Sequence, residues 1–236
     1  MYMKKKWIKI LVILFPVVFG LAMYGLNTYY RTVYETIGTE DHLIEWMQFF
    51  FFLTSAILAI TIAIKMGKVS KPLRVLFLIL ALALFFVAFE EISWGERVFN
   101  IEAPEVFDDG TLPLLGENVQ SEMNLHNFSF FHTKVGLIYI LIATYAIFSS
   151  LLTSLFYKFK KNVKKETKFL LSFLTPPTYL ALYFFPLYIN FFNWETFGIR
   201  PQDYEMTEFL FSLGILIFLS ICLKRISLHL EKKVKG

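Results

Sequence analysis

The stretch that decides the fold is Val75-Leu76-Phe77-Leu78-Ile79-Leu80-Ala81-Leu82-Ala83-Leu84-Phe85-Phe86-Val87-Ala88-Phe89, which carries no charge and runs straight into Glu90-Glu91. Lys71 and Arg74 stand just before it. A helix crossing the ~30 Å hydrocarbon core needs ~20 residues at 1.5 Å each, so this span must recruit its charged flanks. Counting from Leu73 therefore sets Glu90 and Glu91 in the outer part of the bilayer, where an ionised side chain faces protein or water.

Working outward, similar uncharged runs occur at Ile10–Tyr30, Trp46–Ile64, Val135–Tyr157, Phe169–Trp194 and Phe209–Leu223. The reading is an all-α polytopic membrane helix bundle of about six transmembrane helices. The spans cover about 8–30, 44–65, 73–93, 132–157, 169–192 and 205–225, with a long outer loop at about 93–131, in a single integral membrane domain over 1–236. Composition agrees: 56% of the 236 residues are hydrophobic, 19% aromatic and 18% charged, too little polarity to coat a soluble fold of this size. A disulfide scaffold is excluded, because Cys222 is the one cysteine.

Charge sets the direction of insertion. All but four of the 23 Lys and Arg residues fall at the N-terminus, at 65–74, at 158–168 or after the sixth run; the exceptions are Arg31, Arg97, Lys134 and Arg200. Acids do the reverse, with only Glu166 and Glu231 on the Lys-rich side. By the positive-inside rule both termini are cytoplasmic. A basic face beside anionic lipid accounts for the net charge of +4 without nucleic acid. Gly20-Leu21-Ala22 resembles a signal cleavage site, but the apolar run continues to Leu26, which favours a retained anchor.

The remaining polar residues gather on the outer side. Glu45 and Gln48 open the second span, followed at helical spacing by Phe52 and Ser55; Glu205 and Glu208 open the sixth. In Glu90-Glu91-Ile92-Ser93-Trp94-Gly95-Glu96-Arg97, a helix continuing past Glu91 aligns Glu90, Ser93 and Arg97 on one face. Arg97 is then the natural partner for Glu90 or Glu91, and Trp94 suits an interfacial aromatic belt. Further on, Asn118, Glu122 and His126 share a helical stripe, with Asn124 and His132 close in sequence. Glu122 and His126, joined by His132, form a candidate site for a divalent metal, Zn or Mn. As a Glu–His pair they equally suit general acid–base work. Interfacial histidines also serve simply to cap helices and bridge loops.

The strings Glu90-Glu91-x-Ser93-Trp94-Gly95-x-Arg97 and Asn118-x-x-x-Glu122-x-Asn124-Leu125-His126-Asn127 resemble signatures of a group of uncharacterised bacterial polytopic membrane proteins. That resemblance implies a multi-pass protein of the bacterial inner (plasma) membrane and names no reaction. Glu90-Glu91 and Phe128-x-x-x-His132 are also similar to elements of the CAAX-protease-like intramembrane metalloproteases. The likeness is partial: Gly95 stands where that family has Arg, Arg97 comes two residues later, and no His-x-x-x-Asn follows.

Three functions compete on this reading. The first is an enzyme, a hydrolase or transferase, whose catalytic Glu90, Glu91, Glu122 and His126 act on a lipid or lipid-linked substrate, with Arg97, Trp94, Asn124, Glu45 and Glu208 binding or supporting it. The second is a small-solute or ion transporter. The third is a non-catalytic assembly or partner protein of the membrane.

Overall fold

The computed structural model describes residues 2–38, 43–101, 128–160, 162–193 and 201–235. It is all-α, with no strand among the described residues. Nine helices follow one another among them: α1 (Tyr2–Tyr29), α2 (Arg31–Ile37), α3 (Leu43–Met66), α4 (Lys71–Glu90), α5 (Glu96–Phe99), α6 (Ser129–Phe159), α7 (Lys165–Leu171), α8 (Ala181–Asn193) and α9 (Pro201–Lys235). Five of them, α1, α3, α4, α6 and α9, are long and apolar enough to cross a membrane. Their exposed side chains include Leu11, Val18, Leu21, Ile57, Ile79, Leu82, Leu141 and Leu152, an outer surface suited to lipid rather than water. This is the make-up of a multi-pass membrane protein.

The chain forms two compact units, Met1–Ile44 with Ile140–Gly214, and Glu45–Tyr139 with Ile215–Gly236. In the second unit α3 and α4 form an antiparallel hairpin. Ser70 caps α4 by accepting from Leu73 N, and Pro72 sits in the first turn where its missing N–H costs nothing. At the other end Phe49 meets Phe89 edge to face, with ring centroids 5.9 Å apart. The stripe Gln48, Phe52, Ser55, Ala59, Ile62 and Met66 is the buried face of α3. Glu45, one turn earlier, is half-buried.

The first unit solves a proline problem. Pro16 lies inside α1 and has no N–H, so the carbonyl of Val12 loses its helical donor. Tyr183 of α8 supplies the replacement, its hydroxyl donating to Val12 O at 2.7 Å. Tyr183 comes close to α9 because residue 214 is glycine: a Cβ there would lie 2.8 Å from Tyr183 Cβ, which cannot rotate away. Phe209 stacks on Phe19 at 4.8 Å and brings α9 onto α1. Tyr183→Phe is expected to destabilise the chain by about 1 kcal/mol, the order of a membrane hydrogen bond. On a Pro16→Ala background, which restores the N–H, the same change should cost far less. Thermal unfolding of the four proteins in detergent measures that coupling; equal costs on both backgrounds would contradict the pairing.

The stretch 169–192, expected as one span, is helical in two pieces. Between α7 and α8 the backbone leaves the helix at Ser172 and passes through Thr175-Pro176-Pro177 into a 3-10 turn, Thr178–Leu180. Two adjacent prolines remove two N–H donors and exclude the preceding residue from helical geometry. Backbone groups that leave a helix need other partners. Helix α6 provides them from one side. Tyr145 donates its hydroxyl to Leu174 O, Thr153 Oγ1 lies 3.1 Å from Thr175 Oγ1, and Ser150 Oγ lies 2.6 Å from Thr178 Oγ1. Further along, Thr144 pairs with the Tyr188 hydroxyl, and Thr175 Oγ1 donates to Leu171 O at 2.9 Å.

Candidate functional site

The end of α4 carries the most unusual local structure in the described chain. The helix stops at Glu90 and Glu91 caps it. After Ile92, three successive residues turn left-handed: φ is 46° at Ser93, 55° at Trp94 and 82° at Gly95. Asn100, which ends α5, is a fourth at 49°. Each non-glycine residue held there costs about 1–3 kcal/mol, so the surroundings must impose the conformation. Gly95 is needed twice over, for its φ and because a Cβ would lie 2.8 Å from the Phe99 ring.

The turn folds Trp94 back over the helix it has just left. Its indole ring lies 5.4 Å from Phe86 and 5.7 Å from Phe89, centroid to centroid. Its Nε1–H donates to Glu90 Oε1 at 2.5 Å. Glu90 is only 6% exposed, and Ser93 only 5%. A carboxyl is thus held below a ring that excludes water from one side and offers one directed N–H. Desolvation at such a place strengthens every polar interaction the carboxyl makes, which is the condition for proton transfer or for binding a hydroxyl or a cation.

This geometry replaces the expected helical face. Glu90, Ser93 and Arg97 do not lie along one continuous helix, because the left-handed turn intervenes and α5 begins afresh at Glu96. Trp94 is half-buried and hydrogen-bonded to a glutamate, a closer role than a place in an aromatic belt. Glu91 is half-buried at the helix cap.

In the other unit, α2 and the start of α9 are joined where Tyr34, 3% exposed, donates to Asp203 Oδ1 at 2.5 Å. Gly38 allows this approach, since a Cβ would stand 3.0 Å from Gln202 Cβ. Glu208, one turn and a half further along, is half-buried. On the exposed face of α2, Arg31 Nε binds Glu35 Oε1 at 2.7 Å, and that hydrogen bond raises the guanidinium pKa.

Glu122, Asn124 and His126 lie outside the described residues, as do the side chains of Arg97 in α5 and His132 in α6. Among the described residues no three His, Cys, Asp or Glu side chains are placed to hold a metal ion. Sequence reasoning missed two features. The Trp94–Glu90 bond hides in a spacing that reads as an ordinary helical turn, and the hydroxyls of α6 hide in an apolar run. The signal for the second was present in Thr144, Tyr145, Ser149, Ser150 and Thr153, five hydroxyls in ten residues of a span. Comparison of the chain with protein-family models, with curated proteins and with solved structures finds no match.

Proposed function

We propose that this chain is a membrane enzyme, a hydrolase or transferase, whose outward-facing carboxylate site acts on a lipid or lipid-linked substrate. The observation that carries the reading is the buried Glu90 carboxyl, gripped by Trp94 at a helix end whose backbone breaks local rules. Strain of that kind persists where a particular placement of groups is needed. Glu90 or Glu91 takes a proton from water or a substrate hydroxyl as its oxygen attacks the electrophile. Glu122 and His126 return a proton to the leaving group or hold a divalent metal, Zn or Mn. Arg97, Asn124 and Glu45 hold the polar head of the substrate.

The topology proposed with it has six membrane segments, five continuous and one interrupted at Pro176-Pro177, with both termini in the cytoplasm of a bacterial cell. The distribution of Lys and Arg supports this orientation. In a Cys222-free background, an impermeant thiol reagent should label a cysteine at position 115 and not one at 163 in intact cells. The opposite pattern would refute it.

Glu90→Gln, Glu122→Gln and His126→Ala should each reproduce the phenotype of deleting the gene, while membrane level and thermal stability stay near wild type. Wild-type behaviour in all three would remove the catalytic reading. The interrupted segment favours a second reading, a small-solute or ion transporter, since discontinuous helices commonly hold the ligand in such proteins. There the same variants would abolish solute accumulation in cells with no change in the lipid profile.

A further inference from the structure

We propose that the interruption between α7 and α8 is a binding site for a phosphate group, separate from the Glu90 site and independent of the function proposed for it. The 3-10 turn Thr178–Leu180 leads into the 13 residues of α8, and no side chain caps its N-terminus at Pro177. Uncapped N–H groups at such an end attract an anion. Beside them lie the paired hydroxyls of Ser150 and Thr178. Lys9 of α1 brings a positive charge to the same place, its Nζ 5.2 Å from the ring centroid of Tyr179.

Ser149 is the independent sign of a missing ligand. It is 7% exposed, and its Oγ has no hydrogen-bond partner among the described residues. Three neighbours on α6, Tyr145, Ser150 and Thr153, all reach residues 174–178. At 100° per residue these three span an arc of about 140°, and Ser149 falls inside it, so its side chain faces the interruption. A buried hydroxyl left unpaired is costly, and an oxygen-rich ligand would satisfy it.

Charge selects the ligand. Between residues 129 and 193 the only acid is Glu166, which lies in the exposed first turn of α7, and α1 has none. A cation would therefore meet Lys9 and no counter-charge, whereas a phosphate meets an ammonium, hydroxyls and N–H groups. Lys168 over Tyr157, at 5.4 Å, places the approach to the interruption at a Lys-rich edge, the level of lipid headgroups. The phosphate belongs either to a phospholipid or to a soluble phosphate.

The test uses the full chain, delipidated in neutral detergent, with thermal unfolding followed against short-chain phosphatidate, inorganic phosphate and the neutral short-chain diacylglycerol. Phosphatidate should raise the unfolding temperature in a saturable way, and the diacylglycerol should not. A rise with phosphatidate alone assigns the site to a lipid; a rise with phosphate as well assigns it to phosphate itself. Lys9→Gln and Ser149→Ala should each weaken the apparent affinity roughly tenfold. Ser149→Ala should leave the ligand-free unfolding temperature unchanged or higher, since it removes an unpaired buried hydroxyl. No rise with either phosphate compound, or a rise that both variants retain in full, would overturn the proposal.

Discussion

Replacing Trp94 by alanine is expected to destabilise the protein by about 3–4 kcal/mol, the range for removing a large packed aromatic side chain. Two losses combine in that figure: the ring contacts to Phe86 and Phe89, and the N–H donated to Glu90. Trp94→Phe separates them. It keeps most of the ring and deletes the donor, so a buried carboxyl loses one hydrogen bond, a cost of about 1 kcal/mol. A paired change, Trp94→Phe with Glu90→Leu, removes donor and acceptor together and should cost less than the sum of the two single changes. The double variant must be inactive under the proposed function, because its carboxyl is gone. Thermal unfolding in detergent gives the stabilities. If Trp94→Phe costs as much in the Glu90→Leu background as in the wild type, the indole and the carboxyl are not coupled.

The sequence made the class of the protein plain because membrane insertion depends on composition over ~20-residue windows, and composition is a one-dimensional property. The runs at 10–30, 46–64 and 75–89 correspond to α1, α3 and α4, and the runs at 135–157 and 209–223 lie within α6 and α9. The run at 169–194 has the same scarcity of charge, yet Pro176-Pro177 divides it. Hydropathy does not register a missing N–H, and the prolines were the letters to weigh. At the candidate site the acids were legible, since Glu90-Glu91 ends an otherwise uncharged span. Their partners were not. The expected Glu90, Ser93, Arg97 face assumed a right-handed helix, and three successive residues at positive φ redirect Trp94 onto Glu90 instead. Gly95 was the only local hint, and one glycine does not specify that its two predecessors, Ser93 and Trp94, are also left-handed. Tyr183 was beyond reach for a different reason: its bond to Val12 O joins residues 171 positions apart.

The second large effect concerns the interrupted segment. The triple variant Thr144→Val, Tyr145→Phe, Thr153→Val removes three hydroxyls from α6 while keeping nearly the same side-chain volumes. Interhelical hydrogen bonds within membranes average ~0.6 kcal/mol and reach ~1.7 kcal/mol, so about 2–3 kcal/mol should be lost in all. The loss falls unevenly. Thr153 and Thr144 pair with other hydroxyls, Thr175 and Tyr188, and both of those can turn elsewhere: Thr175 already donates to Leu171 O. Tyr145 instead serves a main-chain carbonyl, Leu174 O, which the prolines have taken out of any helical ladder. A carbonyl has no other rotamer with which to find a new donor. Tyr145→Phe should therefore account for the largest share of the triple effect, despite the tyrosine ring being half exposed. Replacing Pro176 and Pro177 by leucine supplies the missing N–H groups and allows the helix to continue. In that background Tyr145→Phe should cost little, because Leu174 O regains a main-chain donor from Thr178. Hydrogen exchange at the Thr178 amide reports the same change, slowing when the prolines are gone. If Tyr145→Phe is equally costly with and without the prolines, its hydroxyl stabilises something other than the broken backbone.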